Sequence, residues 1–136
     1  MNRFLWPVRV YYEDTDSGGV VYYANYLKYL ERARTELLRS YGFEQDQLIE
    51  QEGIIFAVRA LQIEYRKPAR FNEMLQVSVN VTKVGNASFT CEQIITRDTD
   101  ETVLCQAQVK LACLNAENFQ PQAIPKFLIR EITRAD

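Results

Sequence analysis

Hydrophobic residues recur along the chain with two different periods, and the change of period separates one helix from a series of strands. Between about Val21 and Tyr41 the spacing is helical, and Gly42 stands where the C-terminal cap of a helix belongs. The apolar residues that share one side of this helix are Leu27, Leu30, Ala33, Leu37 and Tyr41. The pattern therefore predicts one long helix over about 21–41.

Outside this segment apolar and polar residues alternate, which is typical of strands with one buried face and one wet face. The predicted strands are Phe4 to Tyr12, Ile54 to Tyr65, Leu75 to Thr82, Phe89 to Ile95 and Val103 to Cys113. Turn residues at 84–87 and 98–101 separate the later strands. Because Pro7 has no N–H, the first strand must place it where no ladder hydrogen bond is needed.

The first half of the predicted helix, residues 21–30, is apolar or aromatic on almost every side. Such a helix must be wrapped by other structure, and the short connections favour antiparallel strands as the wrapping. The predicted fold class is therefore α+β, with one long helix wrapped by a curved antiparallel sheet of about five strands in a single domain spanning 1–136. Because a sheet has edges that need protection, we expect a dimer or a higher oligomer.

The composition narrows the range of partners. Sixteen basic and eighteen acidic residues give a formal net charge of −2 without a basic stripe, so nucleic acid is not an expected partner. No run approaches the roughly 20 apolar residues of a membrane span, and Pro7 and Arg9 interrupt any signal-peptide core. We expect a soluble, cytoplasmic protein with no membrane span. The three cysteines form no CxxC pair and are interpreted as small buried residues in a reducing compartment.

The chain contains no histidine. Ser-His-Asp and Cys-His nucleophile systems are therefore excluded, and a zinc site of the usual kind is implausible. Residues 14–19, DTDSGG, superficially resemble the start of a calcium-binding loop, but Asn25 stands where the closing glutamate should fall. The common glycine-rich nucleotide-binding motifs are absent as well. We predict no metal ion and no cofactor.

Candidate chemistry concentrates just before the predicted helix, where Glu13, Asp14 and Asp16 precede Gly18 and Gly19. In one interpretation the aspartates are turn and cap residues that accept hydrogen bonds from free N–H groups at the helix start. In the other, a carboxylate beside the positive end of the helix attacks a carbonyl held by those N–H groups, or activates water to attack it. An already activated acyl group, such as a thioester, suits this second arrangement.

Residues 10–26, VYYEDTDSGGVVYYANY, are followed by ERARTE at 31–36. This order of residues closely resembles the hot-dog-fold thioesterases of the 4-hydroxybenzoyl-CoA type, and within them the Tol-Pal-associated, YbgC-type acyl-CoA thioesterases. The likeness extends over nearly the whole chain, since residues 63–65, 68–70 and 121–125 also resemble that branch. It implies a hot-dog fold that is dimerised through the sheet edges and often paired again into a tetramer.

The resemblance also implies roles for residues near the helix start. Asp16 is the implied catalytic carboxylate, acting as nucleophile or general base, and the backbone N–H of Tyr23 is the implied donor to the thioester carbonyl. Asp14 is then a loop-shaping residue. The implied substrate-binding residues are Gly19, Val20, Tyr22 and Lys83. The implied substrate is an acyl-CoA, or the same acyl group on an acyl carrier protein.

Two positions differ from the patterns of the family. Tyr23 stands where the Tol-Pal-associated branch often has histidine, and residues 85–87 replace arginines that hold CoA phosphates in the 4-hydroxybenzoyl branch, so Lys83 is the nearest base. Other candidate phosphate contacts are Arg66, Lys67 and Arg70. Glu31 is a rival carboxylate on the helix, or else an intrahelical partner of Arg34.

The sequence thus predicts an acyl-CoA thioesterase. An alternative is a non-catalytic protein of the same fold that holds an acyl chain on CoA or on an acyl carrier protein. A dehydratase of the same fold is a weaker alternative, because that chemistry normally uses histidine.

Overall fold

The computed structural model describes residues 4–133. The strands are β1 (Phe4–Arg9), β2 (Ile54–Tyr65), β3 (Met74–Val84), β4 (Ser88–Arg97) and β5 (Val103–Asn115). The helices are α1 (Asn25–Ser40), the single turn α2 (Gln45–Gln47) and α3 (Lys126–Ile132). A 3₁₀ turn at Tyr12–Asp14 follows β1, and a π-type turn at Leu48–Glu52 follows α2.

The strands form one sheet in the order β1-β3-β4-β5-β2, and every neighbouring pair is antiparallel. The predicted α+β fold with a five-stranded antiparallel sheet is therefore confirmed. The bounds of β2 are those that the alternation predicts. Pro7 lies on β1, an edge strand, where only one side of the backbone has a neighbour in the sheet.

The N-terminal bounds of two elements differ from the predictions. The first strand ends at Arg9 rather than Tyr12, because the chain turns into the 3₁₀ segment. The helix begins at Asn25 rather than about Val21, because residues 20–22 are held extended by tertiary hydrogen bonds. The N–H of Val21 donates to the carbonyl of Ala69 at 2.8 Å, and residues 20 and 21 form antiparallel bridges.

The C-terminal end of α1 forms as predicted. Gly42 has a φ of 92°, a left-handed conformation that favours glycine. Its N–H donates to the carbonyl of Arg39, and the N–H of Phe43 donates to that of Leu38, which is the Schellman arrangement. The backbone therefore leaves the helix in one defined direction.

The core lies between α1 and the concave face of the sheet. The buried residues of the helix are Tyr26, Tyr29, Leu30, Ala33, Leu37 and Leu38. The helix lies closest to β3 and β1 rather than over the middle of the sheet. Val58, Leu61 and Tyr65 of β2 pair with buried residues of β5, yet they remain 51%, 38% and 43% exposed. The predicted wrapping of the helix start is also incomplete in the single chain, since Tyr22 and Tyr23 are exposed.

All three cysteines are free and buried, as the sequence predicts. Burial raises the pKa of the Cys91 and Cys105 thiols to about 12 and that of Cys113 to about 11. These thiols therefore stay protonated at neutral pH and act as small apolar side chains. No helix in the described part of the chain is both long and apolar enough to cross a bilayer.

Gly42→Ala is expected to lower the free energy of unfolding by about 1–2 kcal/mol, because an L-residue with a side chain is strained at this φ. Gly42→Asn is the matched control, since asparagine tolerates the left-handed region and should cost less. Urea unfolding followed by circular dichroism measures both variants. Equal losses in the two variants would show that the left-handed backbone is not the cause.

Candidate functional site

A tight turn carries Asp16 ahead of the helix. The N–H of Asp16 donates to the carbonyl of Val20 at 2.9 Å, and the N–H of Gly19 donates back to the Asp16 carbonyl at 3.0 Å. An antiparallel bridge between Thr15 and Val21 closes the base of the turn. Gly19 has a φ of 77°, which explains why a glycine stands there.

The side chain of Asp16 is exposed at this turn. Its Oδ1 atom accepts a hydrogen bond from the N–H of Gly18 at 2.8 Å. No other group within residues 4–133 bonds to this carboxylate, so the Oδ2 atom remains open. Asp16 is therefore a turn residue, and its second oxygen is also available to a ligand.

Asp14 has a different environment, since it is only 8% exposed. Its Oδ2 atom accepts from the N–H of Tyr11 at 2.9 Å and from the hydroxyl of Tyr29 at 2.8 Å. Its carbonyl accepts from the N–H of Tyr22 at 3.0 Å and from the side-chain amide of Asn25 at 2.9 Å. Burial is the main cause that raises the pKa of Tyr29, and the hydrogen bond to Asp14 raises it further. Asp14 thus fastens the turn to the first two turns of α1.

The cap interpretation of the aspartates is wrong in one respect. Among residues 4–133 no side chain caps the N-terminus of α1, because Asp16 bonds within its own turn and Asp14 bonds to Tyr11 and Tyr29. Both aspartates are turn residues, but neither carboxylate accepts a hydrogen bond from the first N–H groups of the helix.

The start of α1 has two open donors. The N–H groups of Asn25, Tyr26 and Leu27 donate to carbonyls three residues earlier. Within the described chain, the N–H groups of Tyr23 and Ala24 have no acceptor. They lie at the end of α1 where the helix dipole is positive, and so they can hold an anionic oxygen. No hydrogen bond in residues 4–133 joins Asp16 to Tyr23.

Aromatic side chains surround these open donors. The rings of Tyr22 and Tyr23 lie 4.9 Å apart, and Tyr65 of β2 lies 6.2 Å from Tyr23 and 5.5 Å from Tyr26. The hydroxyl of Tyr65 also donates to the carbonyl of Tyr23 at 3.3 Å. Sequence reasoning assigned no role to Tyr65, because its contact with the helix start spans 42 residues.

The other predicted ligand-binding residues are dispersed. Gly19 is exposed, and Val20 is half-buried and bridged to Arg70, which places Arg70 beside the turn. Lys83 is exposed next to a bulge in β3 and pairs with Thr90, whereas its neighbour in that strand pairs with the buried Phe89. Lys83 therefore lies on the side of the sheet away from α1.

Two further candidates have partners of their own. Arg66 forms an ion pair with Glu64 at 2.8 Å. In the described chain Glu31 and Arg34 form no ion pair within 4 Å, since Glu31 accepts from the hydroxyl of Thr35 and Arg34 donates to Gln93 at 3.0 Å. The two charges still interact: burial lowers the pKa of Arg34, and the negative charge of Glu31 acts in the opposite direction. In the described ranges, no group of three acidic or cysteine side chains could hold a metal ion.

Comparison with known proteins places this chain in a family. Residues 10–132 match the model of the thioesterase-like superfamily. The chain is 46% identical over 125 residues to the acyl-CoA thioesterase YbgC of Haemophilus influenzae, covering 92% of this chain and 90% of that protein. It is 43% identical over 128 residues to the acyl-CoA thioester hydrolase YbgC of Escherichia coli O157:H7, covering 94% of each.

Solved structures show the same fold. A probable thioesterase from Bartonella henselae superposes with a TM-score of 0.86 at 35% identity, covering 91% of this chain and 100% of that one. A 1,4-dihydroxy-2-naphthoyl-CoA thioesterase from Synechocystis superposes with a TM-score of 0.89 at 23% identity, covering 97% and 96%. The predicted hot-dog fold is confirmed, and the chain belongs to the thioesterase-like superfamily.

Proposed function

We propose that this chain hydrolyses acyl-CoA thioesters to a free carboxylic acid and CoA, with Asp16 as the nucleophile or general base. Its family membership and the names of its YbgC relatives support thioester hydrolysis. The observation that carries the proposal for the site is the pair of open N–H groups at Tyr23 and Ala24, at the positive end of α1. A thioester carbonyl that accepts from the Tyr23 N–H becomes more electrophilic.

Two routes are compatible with the open Oδ2 atom of Asp16. In the first, the carboxylate attacks the carbonyl carbon, the C–S bond breaks, CoA leaves as the thiolate, and water then cleaves the resulting anhydride. In the second, the carboxylate takes a proton from water as the water oxygen attacks the same carbon, and the C–S bond then breaks so that CoA leaves as the thiolate, which takes up that proton. In both, the N–H of Tyr23 stabilises the oxyanion. One such donor contributes roughly 10²–10³ in rate and a general base about 10²–10⁴.

The turn geometry suits either route. The hydrogen bond from Gly18 fixes Oδ1, so Asp16 can present Oδ2 without losing the turn. The rings of Tyr22 and Tyr23 are exposed and lie 4.9 Å apart beside the helix start. We assign the binding of the substrate to these rings and to Gly19 and Val20 on the turn. We propose that basic side chains bind the phosphates of CoA. The candidates are Arg70, which lies beside the turn, and Lys83.

We infer that the active form is a homodimer joined through β2. This strand is 12 residues long, and its outer edge has no neighbour in the described sheet. The side chains of Val58, Leu61 and Tyr65 on its helix side are exposed because α1 lies toward β3 and β1. A second copy that pairs along this edge covers both the open backbone groups and the apolar strip. The family resemblance implies that two such dimers assemble into a homotetramer.

We also propose a cytoplasmic location, which three free buried thiols support because they suit a reducing compartment. The alternative carrier of the acyl group is an acyl carrier protein. Hydrolysis rates for the same acyl group on CoA and on acyl carrier protein distinguish the two carriers.

Asp16→Asn is expected to lower kcat/KM for acyl-CoA hydrolysis by about 10²-fold or more, because the amide neither attacks nor accepts a proton efficiently. The amide oxygen can still accept from Gly18, so the free energy of unfolding should change by less than about 0.5 kcal/mol. Thiol release from a panel of short, long and aromatic acyl-CoAs measures the rates, and urea unfolding measures the stability.

Asp14→Asn is the matched control for stability, since that change disturbs a buried carboxylate with two donors and should destabilise the fold. Nearly full activity in Asp16→Asn would reject Asp16 as the catalytic carboxylate, and loss only in Glu31→Gln would move the role to the helix. Tight binding of acyl-CoA without turnover by the wild-type protein would favour the non-catalytic alternative.

Leu61→Glu is expected to dissociate the dimer and reduce activity, because it places a charge in the apolar strip that the second copy covers. Gln62→Glu is the matched control, as residue 62 faces the opposite side of β2 and pairs with Gln108. Sedimentation velocity gives the assembly of each variant. An active wild-type monomer, or a Leu61→Glu dimer of unchanged stability, would contradict the β2 interface.

A further inference from the structure

The two N–H groups that are open before α1 within the described chain belong to neighbouring peptide groups. The N–H of Tyr23 shares its peptide group with the carbonyl of Tyr22, and the N–H of Ala24 shares its own with the carbonyl of Tyr23. Since a peptide group is planar and trans, its N–H and C=O point in opposite directions. Whatever holds one of these carbonyls therefore also sets the direction of the open N–H on the other side of that group.

The two carbonyls are held differently. The carbonyl of Tyr22 accepts from the N–H of Asn25 at 2.8 Å, a normal hydrogen-bond length. The carbonyl of Tyr23 accepts from the N–H of Tyr26 at 3.3 Å, which is longer than most bonds of this kind. The first turn of the helix therefore fixes the peptide group of the Tyr23 N–H well and that of the Ala24 N–H less firmly.

A side chain from the sheet provides a second donor to the carbonyl of Tyr23. The hydroxyl of Tyr65 donates to it at 3.3 Å, and a carbonyl oxygen has two lone pairs, so it can accept from both Tyr65 and Tyr26. Because each of the two bonds is long, neither alone restrains the carbonyl strongly. Partial burial raises the pKa of Tyr65. The hydroxyl therefore keeps its proton at neutral pH and remains a donor.

Tyr65 is itself positioned by contacts with the sheet and with the helix. Its backbone pairs with Cys105 of β5, and the N–H groups of the next two residues both donate to the carbonyl of Leu104, at 2.8 and 3.2 Å. Its ring lies 5.5 Å from the ring of Tyr26, which is only 4% exposed. These contacts restrict where the hydroxyl of Tyr65 can lie, so the sheet helps to set the backbone at the helix start.

A donor at a carbonyl also strengthens the N–H of the same peptide group, because hydrogen bonds in a chain polarise one another. For the hydroxyl of Tyr65, the N–H that it affects is that of Ala24. This N–H lies at the positive end of α1, next to the open N–H of Tyr23. Since an oxyanion has several lone pairs, two neighbouring donors can bind it at the same time.

We propose that Tyr65 is a positioning residue for thioester hydrolysis. Its hydroxyl holds the carbonyl of Tyr23 so that the N–H of Ala24 joins the N–H of Tyr23 as a second donor to the oxyanion. The proposal rests on the proposed thioesterase function, and all the contacts that support it lie within one chain. Tyr65 acts through the peptide group and not by contact with the substrate.

Tyr65→Phe removes only the hydroxyl and keeps a ring that can pack against Tyr23 and Tyr26. It should lower kcat for acyl-CoA hydrolysis about 3- to 10-fold, as expected for the loss of one hydrogen bond. Because the oxyanion forms only in the transition state, kcat and kcat/KM should fall by the same factor while KM stays the same. Thiol release from acetyl-CoA and benzoyl-CoA, measured over a range of substrate concentrations, gives both constants.

Tyr12→Phe is the matched control, since it removes the hydroxyl of a tyrosine that is 79% exposed and packs on Phe71. This variant should keep the wild-type kcat and KM. Tyr65 is 43% exposed, so Tyr65→Phe should fold, and circular dichroism and sedimentation velocity check its fold and assembly. A rise in KM with unchanged kcat in Tyr65→Phe would show that Tyr65 contacts the substrate instead, and would overturn the inference.

Infrared spectroscopy provides a second measurement, because hydrogen bonds to a carbonyl oxygen lower its stretching frequency. In an Asp16→Asn background, which slows turnover, bound benzoyl-CoA with an isotope label at the carbonyl carbon should absorb at a lower frequency than the free thioester. Adding Tyr65→Phe should reduce that shift. An equal shift in both variants, or an unchanged kcat in Tyr65→Phe, would overturn the inference. Hydrolysis by the wild-type protein would still support the proposed function in that case, whereas no hydrolysis of any thioester would reject both.

Discussion

The geometry of the site depends on the hydrogen bonds of one buried residue, Asp14. Its Oδ2 atom accepts from the Tyr11 N–H and the Tyr29 hydroxyl, and its carbonyl accepts from the Tyr22 N–H and the Asn25 amide. These four hydrogen bonds join the segment after β1, the turn and the first two turns of α1. A buried carboxylate is costly unless donors surround it. The segment therefore has one strongly favoured arrangement, and that arrangement sets where the turn and the helix start lie.

Asp14 and Asp16 are only two positions apart, but their environments give them different roles. Asp14 is buried and uses its oxygens within the fold, whereas Asp16 is exposed and uses only Oδ1, for the Gly18 N–H. The backbone N–H groups before α1 also differ in whether the fold gives them a partner. Because the Tyr22 N–H is committed to Asp14, the next two N–H groups are the first open donors at the positive end of the helix. Acyl transfer requires a carboxylate oxygen that is free to react and N–H donors that are free to bind the oxyanion.

Local patterns in the sequence predict the strands and the helix end well, because alternation and a C-terminal glycine act over a few residues. The helix begins about four residues later than the local pattern predicts, since the hydrogen bond from Val21 to Ala69 joins segments 48 residues apart and overrides that pattern. The hydrogen bond of Arg34 has a similar origin, because its acceptor Gln93 lies 59 residues away, whereas the nearby Glu31 interacts with it only through its charge. The sequence singled out the acidic turn, but its neighbours Tyr29 and Tyr65 depend on long-range contacts that no local pattern shows.

The offset of α1 toward β3 and β1 links the fold to the proposed assembly. A helix centred on the sheet would cover β2 and fill the space above β5. Here it leaves an apolar strip at the β2 edge and a cavity beside Arg34. Both features are unfavourable for an isolated chain, because exposed apolar edges promote association and cavities lose packing contacts. In the proposed dimer, a partner strand along β2 covers the apolar strip. The displacement of α1 therefore favours the proposed dimer, because it leaves the β2 edge without a cover from its own chain.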